Sequence, residues 1–524
     1  PSEADLFDIG AHIRLTSGCE ADSYDIGEQI RLTRVVAAAC GVGTLDGVNA
    51  ELLAEYAADE SRRGPEPDGA HTGAAGGSAC GDLVRVSLLV EDGVVRAATF
   101  DAEGCAALRA CAAAACEELE GASALEAARL GADRIAELVG GLSPQGRHAA
   151  ELTGDAVGRA LAALASSGER ISAPPEGERV LVAMSGGVDS AVAALLERDR
   201  GADVVAVTLK LWADERTDGS LACCSPEAVR GARALAHSLG LPHLTLDLED
   251  SFRRAVVGAF VDGYRAGETP NPCVICNGDL RIDAMVELAD RVGAAYLATG
   301  HYARLTDDGE GPLLAAAADE RKDQTYMLSG VRPATLARLR FPLAELRKDE
   351  VREIAARHGL PVATKRESQD LCFLAGEGKR SFLRRHGGLT DRPGEIVTTS
   401  GEVLGEHRGH HHFTVGQRRG LGVANGAPLY VLGTDARANR VIVGHREELA
   451  RTRVRLRDPR LHRPAERVDR VRLRYHSKAL PCRVRPLDDG LELELAEPAY
   501  GVAPGQTACL LDGDRVIGRA TIAA

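Results

Sequence analysis

The chain has 524 residues and a formal net charge of −14; 44% of its residues are hydrophobic and 27% charged. That length implies about three to five domains, and the composition is that of a globular protein, so disorder is not the default. It has neither an apolar run of about 18 residues nor a basic-then-apolar leader, so a cytoplasmic protein with no membrane partner is expected, and its thirteen cysteines suit a reducing compartment where thiols do chemistry or bind metal.

In chain order, residues 1–70 form an N-terminal extension holding a near-duplicate, Asp8–Thr16 and Asp25–Thr33, with seven of nine positions identical. Two copies are too few for a solenoid, and local duplication accounts for them. The stretch Gly64–Gly77, rich in Gly, Pro and Ala, reads as a linker. Leu83–Val90 and Val94–Phe100 flank the turn Glu91-Asp92-Gly93 and predict a hairpin. Cys105–Leu119, Ala124–Val139 and Arg147–Leu164 are Ala-rich and helical in pattern, and residues 166–178 read as a second linker. From Arg179 to about residue 375 strand and helix patterns alternate, as in an α/β unit. Beyond it, short alternating runs such as Val468–Tyr475, Cys482–Pro486 and Leu491–Leu495 are mainly β.

Charge follows these divisions. Residues 1–175 carry 13 Arg, no Lys and 28 Asp+Glu, a net of −15, whereas residues 405–485 carry 19 Lys+Arg against 7 Asp+Glu, a net of +12. A basic segment of this size suits a polyanion partner or an Arg-rich solvated surface, in a chain that uses 57 Arg to 6 Lys.

The strongest chemical signal is Arg179–Ser190, an apolar strand, a Ser-Gly-Gly turn and an Ala-rich helix. The glycines let the backbone approach a ligand, and the amides at the helix start favour an anion. Ser185 and Ser190 add hydroxyls, and Asp189 is expected to help hold Mg²⁺. No Lys follows the glycines, so this is not the GxxxxGK[ST] loop; SGGVDS is the pyrophosphate loop of enzymes that cleave ATP to AMP and PPi. Thiols accompany it. Cys273 and Cys276 form a CxxC on a Pro-constrained turn, and Cys372 follows in ESQDLCF. Taken alone, a CxxC is also half a zinc site or a redox pair, but no second CxxC completes a Cys₄ set.

Residues 179–524 resemble the tRNA-specific 2-thiouridylase family. The likeness rests on SGGVDS (185–190), TPNPCVICN (269–277), ATGHYAR (298–304), KDQTYML (322–328), ESQDLCF (367–373), HFTVGQRRGLGV (412–423), RYHSKALPC (474–482) and APGQTA (503–508). It implies ATP binding by Ala183, Met184, Ser185, Gly186, Gly187, Val188, Asp189, Ser190, Leu209 and Gly300. It further implies Cys276 as nucleophile, Cys372 as persulfide carrier, and Asn271, Pro272 and Cys273 at the target base. Contacts to tRNA are implied for His301, Lys322, Asp323, Gln324, Arg474, Tyr475 and Gln506. Cys273 stands where much of the family has Asp; with it, Cys273, Cys276 and Cys372 suffice for a [4Fe–4S] cluster with one open iron, the alternative being a persulfide route without iron. Cys223 and Cys224 suit either scheme or a structural role.

The front is similar to the IscU/SufU/NifU scaffold family through GSACGD (77–82) and TFDAEGC (99–105). This resemblance implies a site of Cys80, Asp82, Cys105 and His148 for an iron–sulfur cluster or Zn²⁺. The family's third cysteine is replaced by Ala149. Cys111 and Cys116 are expected in the helix core, and Cys19 and Cys40 lack partner spacing. The expected architecture is multidomain: an extension and linker (1–70), an IscU-like α+β domain (71–165), a linker (166–178), an α/β pyrophosphate-loop domain of the adenine nucleotide alpha hydrolase-like kind (179–377), a small central domain (378–442) and a C-terminal, tRNA-contacting β-barrel (443–524). The implied activity is ATP-dependent 2-thiolation of the tRNA wobble uridine, with a cysteine desulfurase or other sulfur donor as partner. An iron–sulfur scaffold with an accessory nucleotide-binding half, and a small-molecule ATP pyrophosphatase, are the other two classes. The triple His410–His412 reads as a turn rather than a metal site.

Overall fold

The computed structural model of the chain describes residues 48–77, 81–214, 225–365, 371–374, 376–423 and 427–524. The near-duplicate, Cys19, Cys40, Cys80, Cys223, Cys224 and positions 367–370 of ESQDLCF lie outside these residues.

At the front, strands His71–Gly76, Leu83–Glu91 and Val94–Glu103 form an antiparallel sheet in that order. Asp92 (φ 52°) and Gly93 (φ 77°) make the tight turn, both in the left-handed region that a primed hairpin turn requires. The first strand falls within the stretch expected to be a linker. It is a strand because its small residues let it lie directly on the helix Arg147–Ser167: a Cβ on Gly73 would sit 2.2 Å from the Ala156 carbonyl oxygen and 2.3 Å from the Ala160 nitrogen. Helix Ala50–Ala58, in the expected extension, packs on helix Ala106–Leu119, with the Tyr56 hydroxyl donating to Glu117 at 2.7 Å. The expected helix Ala124–Val139 is two helices, Ala124–Ala127 and Ala132–Leu138. Ser123 and Glu126 form a capping box on the first and Gly131 starts the second, so the chain restarts between them.

Twelve of the 21 residues in helix Arg147–Ser167 are buried, most of them Ala or Gly. Two neighbours explain this: the front sheet on one side and strand His243–Asp247 of the next unit on another. Arg233 pairs with Asp155 at 3.1 Å, both side chains nearly buried, and Gly158 leaves room for that guanidinium, 2.3 Å from where a Cβ would stand. The His237 ring Nε2 (3.0 Å) and the His243 backbone N–H (2.9 Å) both reach the Ala128 carbonyl. The second expected linker is a fixed joint. Ile171 is fully buried, its N–H donates to the Arg291 carbonyl, and the Arg291 guanidinium caps the carbonyls of Leu164, Ala165 and Glu169. A single hydrophobic core therefore runs from the front domain into the sheet behind it.

That second sheet has five parallel strands in the order Leu339–Arg340, Tyr296–Thr299, Arg179–Ala183, Asp203–Lys210, His243–Asp247. The chain starts at the middle strand, winds outward to His243–Asp247 and then crosses to Tyr296–Thr299. The crevice between Arg179–Ala183 and Tyr296–Thr299, at their carboxyl ends, is the topological switch point where such sheets bind ligands. Next come a four-stranded sheet (Val403–His407, Gly394–Thr398, Arg440–Gly444, Tyr430–Asp435) and the C-terminal barrel. In the barrel Ala450–Leu461, Gly490–Tyr500, Leu480–Leu487, Arg470–Arg472, Thr507–Asp512 and Arg515–Ile522 pair in turn, and the last pairs back to the first. A hairpin from the α/β unit, Arg304–Asp307 and Pro312–Ala315, joins the barrel at Arg515–Ile522. Among the described residues no helix is long and apolar enough to cross a membrane.

Candidate active site

The segment Ala183–Ser190 occupies the switch point. Gly186 adopts φ +69°, and helix Val188–Asp199 starts at Gly187 with no side chain capping it, leaving its first amides available to an anion. Ser190 Oγ accepts from the Ser185 N–H (3.1 Å) and donates to the Gly187 carbonyl (3.0 Å), which holds the loop's shape. Gly300, at the end of the neighbouring strand, must be glycine: a Cβ there would come 2.8 Å from the Asp189 carbonyl carbon and the Ser190 nitrogen. Leu209 is the penultimate residue of strand Asp203–Lys210. Asp189, expected to help hold Mg²⁺, is engaged otherwise. Lys348 Nζ lies 2.7 Å from each of its carboxylate oxygens, and the Tyr302 hydroxyl donates to Oδ1 at 2.8 Å. The donor set at Asp189 thus does not fit a Mg²⁺ site.

The CxxC lies on a short helix, Pro272–Cys276, rather than on a turn. Pro272 takes the first helical position and the Asn271 side chain caps it, accepting from the Val274 N–H at 3.3 Å. Helical spacing puts Cys273, half-buried, and Cys276, buried, on one side. Cys276 belongs to an apolar cluster with Trp212, Phe252, Phe373 and Phe382, and both Cys372 and Leu209 pack against the same cluster. The structure thereby brings two thiols some hundred residues apart to one place, at the carboxyl end of the strand beside the phosphate loop. The Cys372 segment is fixed by the buried Phe373 ring and by Glu377, whose carboxylate accepts from Arg385, which in turn pairs with Asp214 at 2.6 Å. His386 completes this group by donating to Asp214 at 2.9 Å; none of these four residues stood out in the sequence, because their spacing matches no motif.

Residues expected at tRNA separate into two sets. Several hold domains together. Gln506 Nε2 donates to the Thr269 carbonyl at 2.7 Å, clamping the barrel onto the CxxC segment. Asp323 is buried against Arg472 and Thr325. Gln324 Oε1 accepts from the Tyr302 N–H at 2.9 Å. His301 bonds Thr299 and Arg281, each at 2.8 Å, and burial together with that guanidinium pushes its pKa down to about 3. By contrast Arg474 is exposed. A Cβ on Gly501 would lie 3.6 Å from Arg474 Nη1 and 3.8 Å from the Gly416 Cα, which places Arg474 beside the loop carrying exposed Arg418 and Arg419. Tyr475 stacks on His476 with ring centres 3.8 Å apart. Lys322 is half-buried.

The +12 of the basic segment is largely matched inside the molecule. Arg457 forks onto Glu268 (2.6 and 2.8 Å), Arg463 and Arg467 bind Asp308 (2.7 and 2.8 Å), and Arg460 pairs with Asp279. On the barrel wall Arg453 and Arg483 flank Glu494, and Arg455 and Arg485 flank Glu492, in register.

In the front domain Asp82, Cys105 and His148 converge, their ligand atoms all within 4.8 Å of one another. Asp82 accepts from the Cys105 N–H (3.0 Å), the Cys105 thiol (3.4 Å) and His148 Nε2 (2.7 Å). Burial opposes charge on Asp82, but the hydrogen bonds from His148 and Cys105 outweigh it and hold the carboxyl below its usual range. Burial, and then the Asp82 charge, push the Cys105 thiol up. A Cβ on Gly104 would come 2.1 Å from Asp82 Oδ1, so glycine is required there. Ala149, where the scaffold family has its third cysteine, is buried. Cys111 and Cys116 are core residues whose thiols burial pushes up to about 12. His410–His412 form a short 3₁₀ turn, His410 against Asn439 and His412 against Asp391.

With this geometry, comparison with known proteins is decisive. Residues 55–169 match the NifU-like N terminal domain, 178–376 the tRNA methyl transferase HUP domain, 380–445 the tRNA methyl transferase PRC-barrel domain and 450–522 the aminomethyltransferase beta-barrel domain. The bifunctional protein NifU/MnmA of Rubrobacter xylanophilus is 44% identical over 463 residues, covering 86% of this chain and 93% of that protein. The chain belongs to the NifU/MnmA family. Single-function relatives align with the rear part alone: the tRNA-specific 2-thiouridylase MnmA of Acidithiobacillus ferrooxidans (strain ATCC 53993) is 44% identical over 347 residues, 65% of this chain and 97% of that protein, and that of Aquifex aeolicus is 41% identical over 348 residues, 65% of this chain and 97% of that protein. The expected fold class, a NifU-like domain ahead of an α/β ATP-type domain and a β-barrel, holds.

Proposed function

We propose that the chain adenylates the wobble uridine of tRNA with ATP and replaces its O2 by sulfur. The observation that carries this reading is the convergence of a pyrophosphate loop with two thiols, Cys276 and Cys372, at one end of one sheet in a member of the NifU/MnmA family. The amides of the Ser185–Ser190 loop hold the phosphates, and the base, extruded from its stack, reaches the helix Pro272–Cys276. Uridine O2 attacks the α-phosphate and PPi leaves. Cys372 carries sulfur as a persulfide; Cys276 attacks it, releasing sulfide to C2 as AMP departs and leaving a Cys276–Cys372 disulfide that a thiol reductant reopens. By donor type Cys273, Cys276 and Cys372 also suit a [4Fe–4S] cluster, and Cys276 and Cys372 share one apolar cluster; a bound cluster would supply sulfide there. Arg418, Arg419 and Arg474 form an exposed basic patch, with the half-buried Tyr475 next to Arg474, suited to an RNA backbone.

In the front domain, Asp82, Cys105 and His148, with Cys80, would bind Zn²⁺ or iron, three of the four being gathered already. This domain docks a cysteine desulfurase or other sulfur donor and raises the local concentration of sulfur carrier.

The test uses the full chain handled without oxygen. Cys372→Ala and Cys276→Ala should lower 2-thiouridine formation by about 10³-fold or more while tRNA-dependent PPi release persists, because adenylation precedes sulfur transfer. Loss of PPi release in both variants would contradict the assigned roles. Iron and acid-labile sulfide that vanish in Cys273→Ala together with activity support the cluster; full activity in iron-free wild type removes it.

A further inference from the structure

We propose that Lys348 supplies the positive charge that neutralises the ATP phosphates on the Ser185–Ser190 loop, and that Asp189 is its positioning residue rather than a Mg²⁺ ligand. The assignment rests on the adenylation chemistry proposed above. The loop itself lacks a cation, since no lysine follows its glycines, yet a triphosphate brings several negative charges to it. The helix start and the amides offset only part of that charge.

The composition shows where the missing charge comes from. The chain uses 57 Arg but only 6 Lys, and two of the six reach this one loop from distant positions. Lys365 Nζ donates to the Gly186 carbonyl at 2.9 Å, and Lys348 Nζ sits 2.7 Å from both oxygens of Asp189. In a chain so biased toward arginine, a lysine suits a place where a compact ammonium with three rotatable donors serves and a broad planar fork does not. An ammonium in the phosphate crevice is such a place.

The geometry is built rather than incidental. Asp189 comes from the helix after strand Arg179–Ala183, Tyr302 from the loop after Tyr296–Thr299, and Lys348 from the helix start after Leu339–Arg340. These are three neighbouring parallel strands, and all three groups lie at their carboxyl ends, around the switch point. The Lys348 side chain is only 11% exposed. Its backbone N–H donates to the buried Asp319 at 3.1 Å, which fixes the helix start that carries it. The Tyr302 hydroxyl holds Asp189 Oδ1 at 2.8 Å, so the carboxylate cannot swing away from the ammonium. With both oxygens so occupied, a divalent ion would have to displace the lysine to bind Asp189.

In the adenylation step the bond from uridine O2 to the α-phosphorus forms and the bond from that phosphorus to the bridging oxygen breaks. The electron pair leaves with PPi, and the uridine N3 proton passes to water. Negative charge therefore builds on the leaving oxygen, beside the ammonium, which stabilises it.

The test compares Lys348→Gln, Lys348→Arg and the double variant Asp189→Asn/Lys348→Gln in the full chain, measuring tRNA-dependent PPi release, tRNA affinity and persulfide loading of Cys372. Lys348→Gln should slow PPi release by about 10²–10³-fold, with tRNA affinity and persulfide loading unchanged. Lys348→Arg should recover only part of the rate. If Lys348 were merely the counter-ion of Asp189, the double variant, which removes both charges, would release PPi at the wild-type rate, and that result would overturn the proposal; the proposal has it remain as slow as Lys348→Gln. The double variant also keeps the test open should an unpaired Asp189 impair folding. A wild-type chain that releases no PPi with tRNA would instead sink the adenylation reading, and this assignment with it.

Discussion

Buried Asp308 shows how a single residue ties units together. Its carboxylate lies in the hairpin of the α/β unit and accepts from two barrel arginines, Arg463 and Arg467, with the Arg463 and Asp308 side chains 3% and 4% exposed. The Arg463 hydrogen bond, followed by the backbone and the Arg467 contacts, holds this carboxyl far below the usual carboxylate range. A depressed folded pKa means that the stabilisation is complete above the unfolded value, near 4, and is lost as pH falls from there through the folded value. Asp308→Asn should therefore lower the thermal midpoint at pH 7 and differ progressively less from wild type as pH drops below about 4. A gap that stays constant from pH 7 to pH 3 would contradict this. At this scale the phosphate loop and the CxxC are legible in the sequence, because glycines, hydroxyls and thiols at fixed short spacing carry their own geometry. Lys348, Asp214 and Arg385 are not, since each finds its partner only after the chain has folded across well over a hundred residues.

Among the elements, strand His71–Gly76 is the clearest case of tertiary context overriding local signal. Glycine and alanine weaken a strand taken alone, and the segment reads as a linker. What makes it a strand is helix Arg147–Ser167 pressed against it, leaving no room for a Cβ at Gly73. Gly73→Ala should cost about 1–3 kcal/mol through overpacking against backbone, read as a lower denaturation midpoint; a neutral effect would favour the linker reading. The same reasoning explains why the expected linker at residues 166–178 is packed down. Residues 166–178 look like a tether, but Arg291 and the buried Ile171 turn them into a joint. The helices Ala106–Leu119 and Arg147–Ser167 and the hairpin, by contrast, are legible, since periodicity and turn chemistry fix them locally.

At the scale of the whole molecule, the single-function relatives align with the rear part alone, yet here the front domain shares a continuous core with that part. Helix Arg147–Ser167 covers strand His243–Asp247, and Asp155 pairs with Arg233 beneath it. Asp155→Ala leaves a nearly buried guanidinium unpaired and should cost about 3–5 kcal/mol, lowering the unfolding midpoint of both units together; a front domain that melts alone would show the interface to be weak. Internal pairing also reshapes the charge argument. The net −15 of residues 1–175 and the +12 of residues 405–485 suggest a bare basic surface for a polyanion, but Glu268, Asp279, Asp308, Asp323, Glu492 and Glu494 take up much of the second, leaving exposed arginines such as Arg418, Arg419 and Arg474.

The most direct test of the proposed reaction incubates the full chain with unmodified tRNA, Mg-ATP, a cysteine desulfurase, cysteine and a thiol reductant, and then digests the tRNA to nucleosides for mass spectrometry. The expected product is 2-thiouridine at the wobble position, strictly dependent on ATP and accompanied by AMP and PPi. ATP cleavage without any thiolated nucleoside, or cleavage that needs no tRNA, would contradict it.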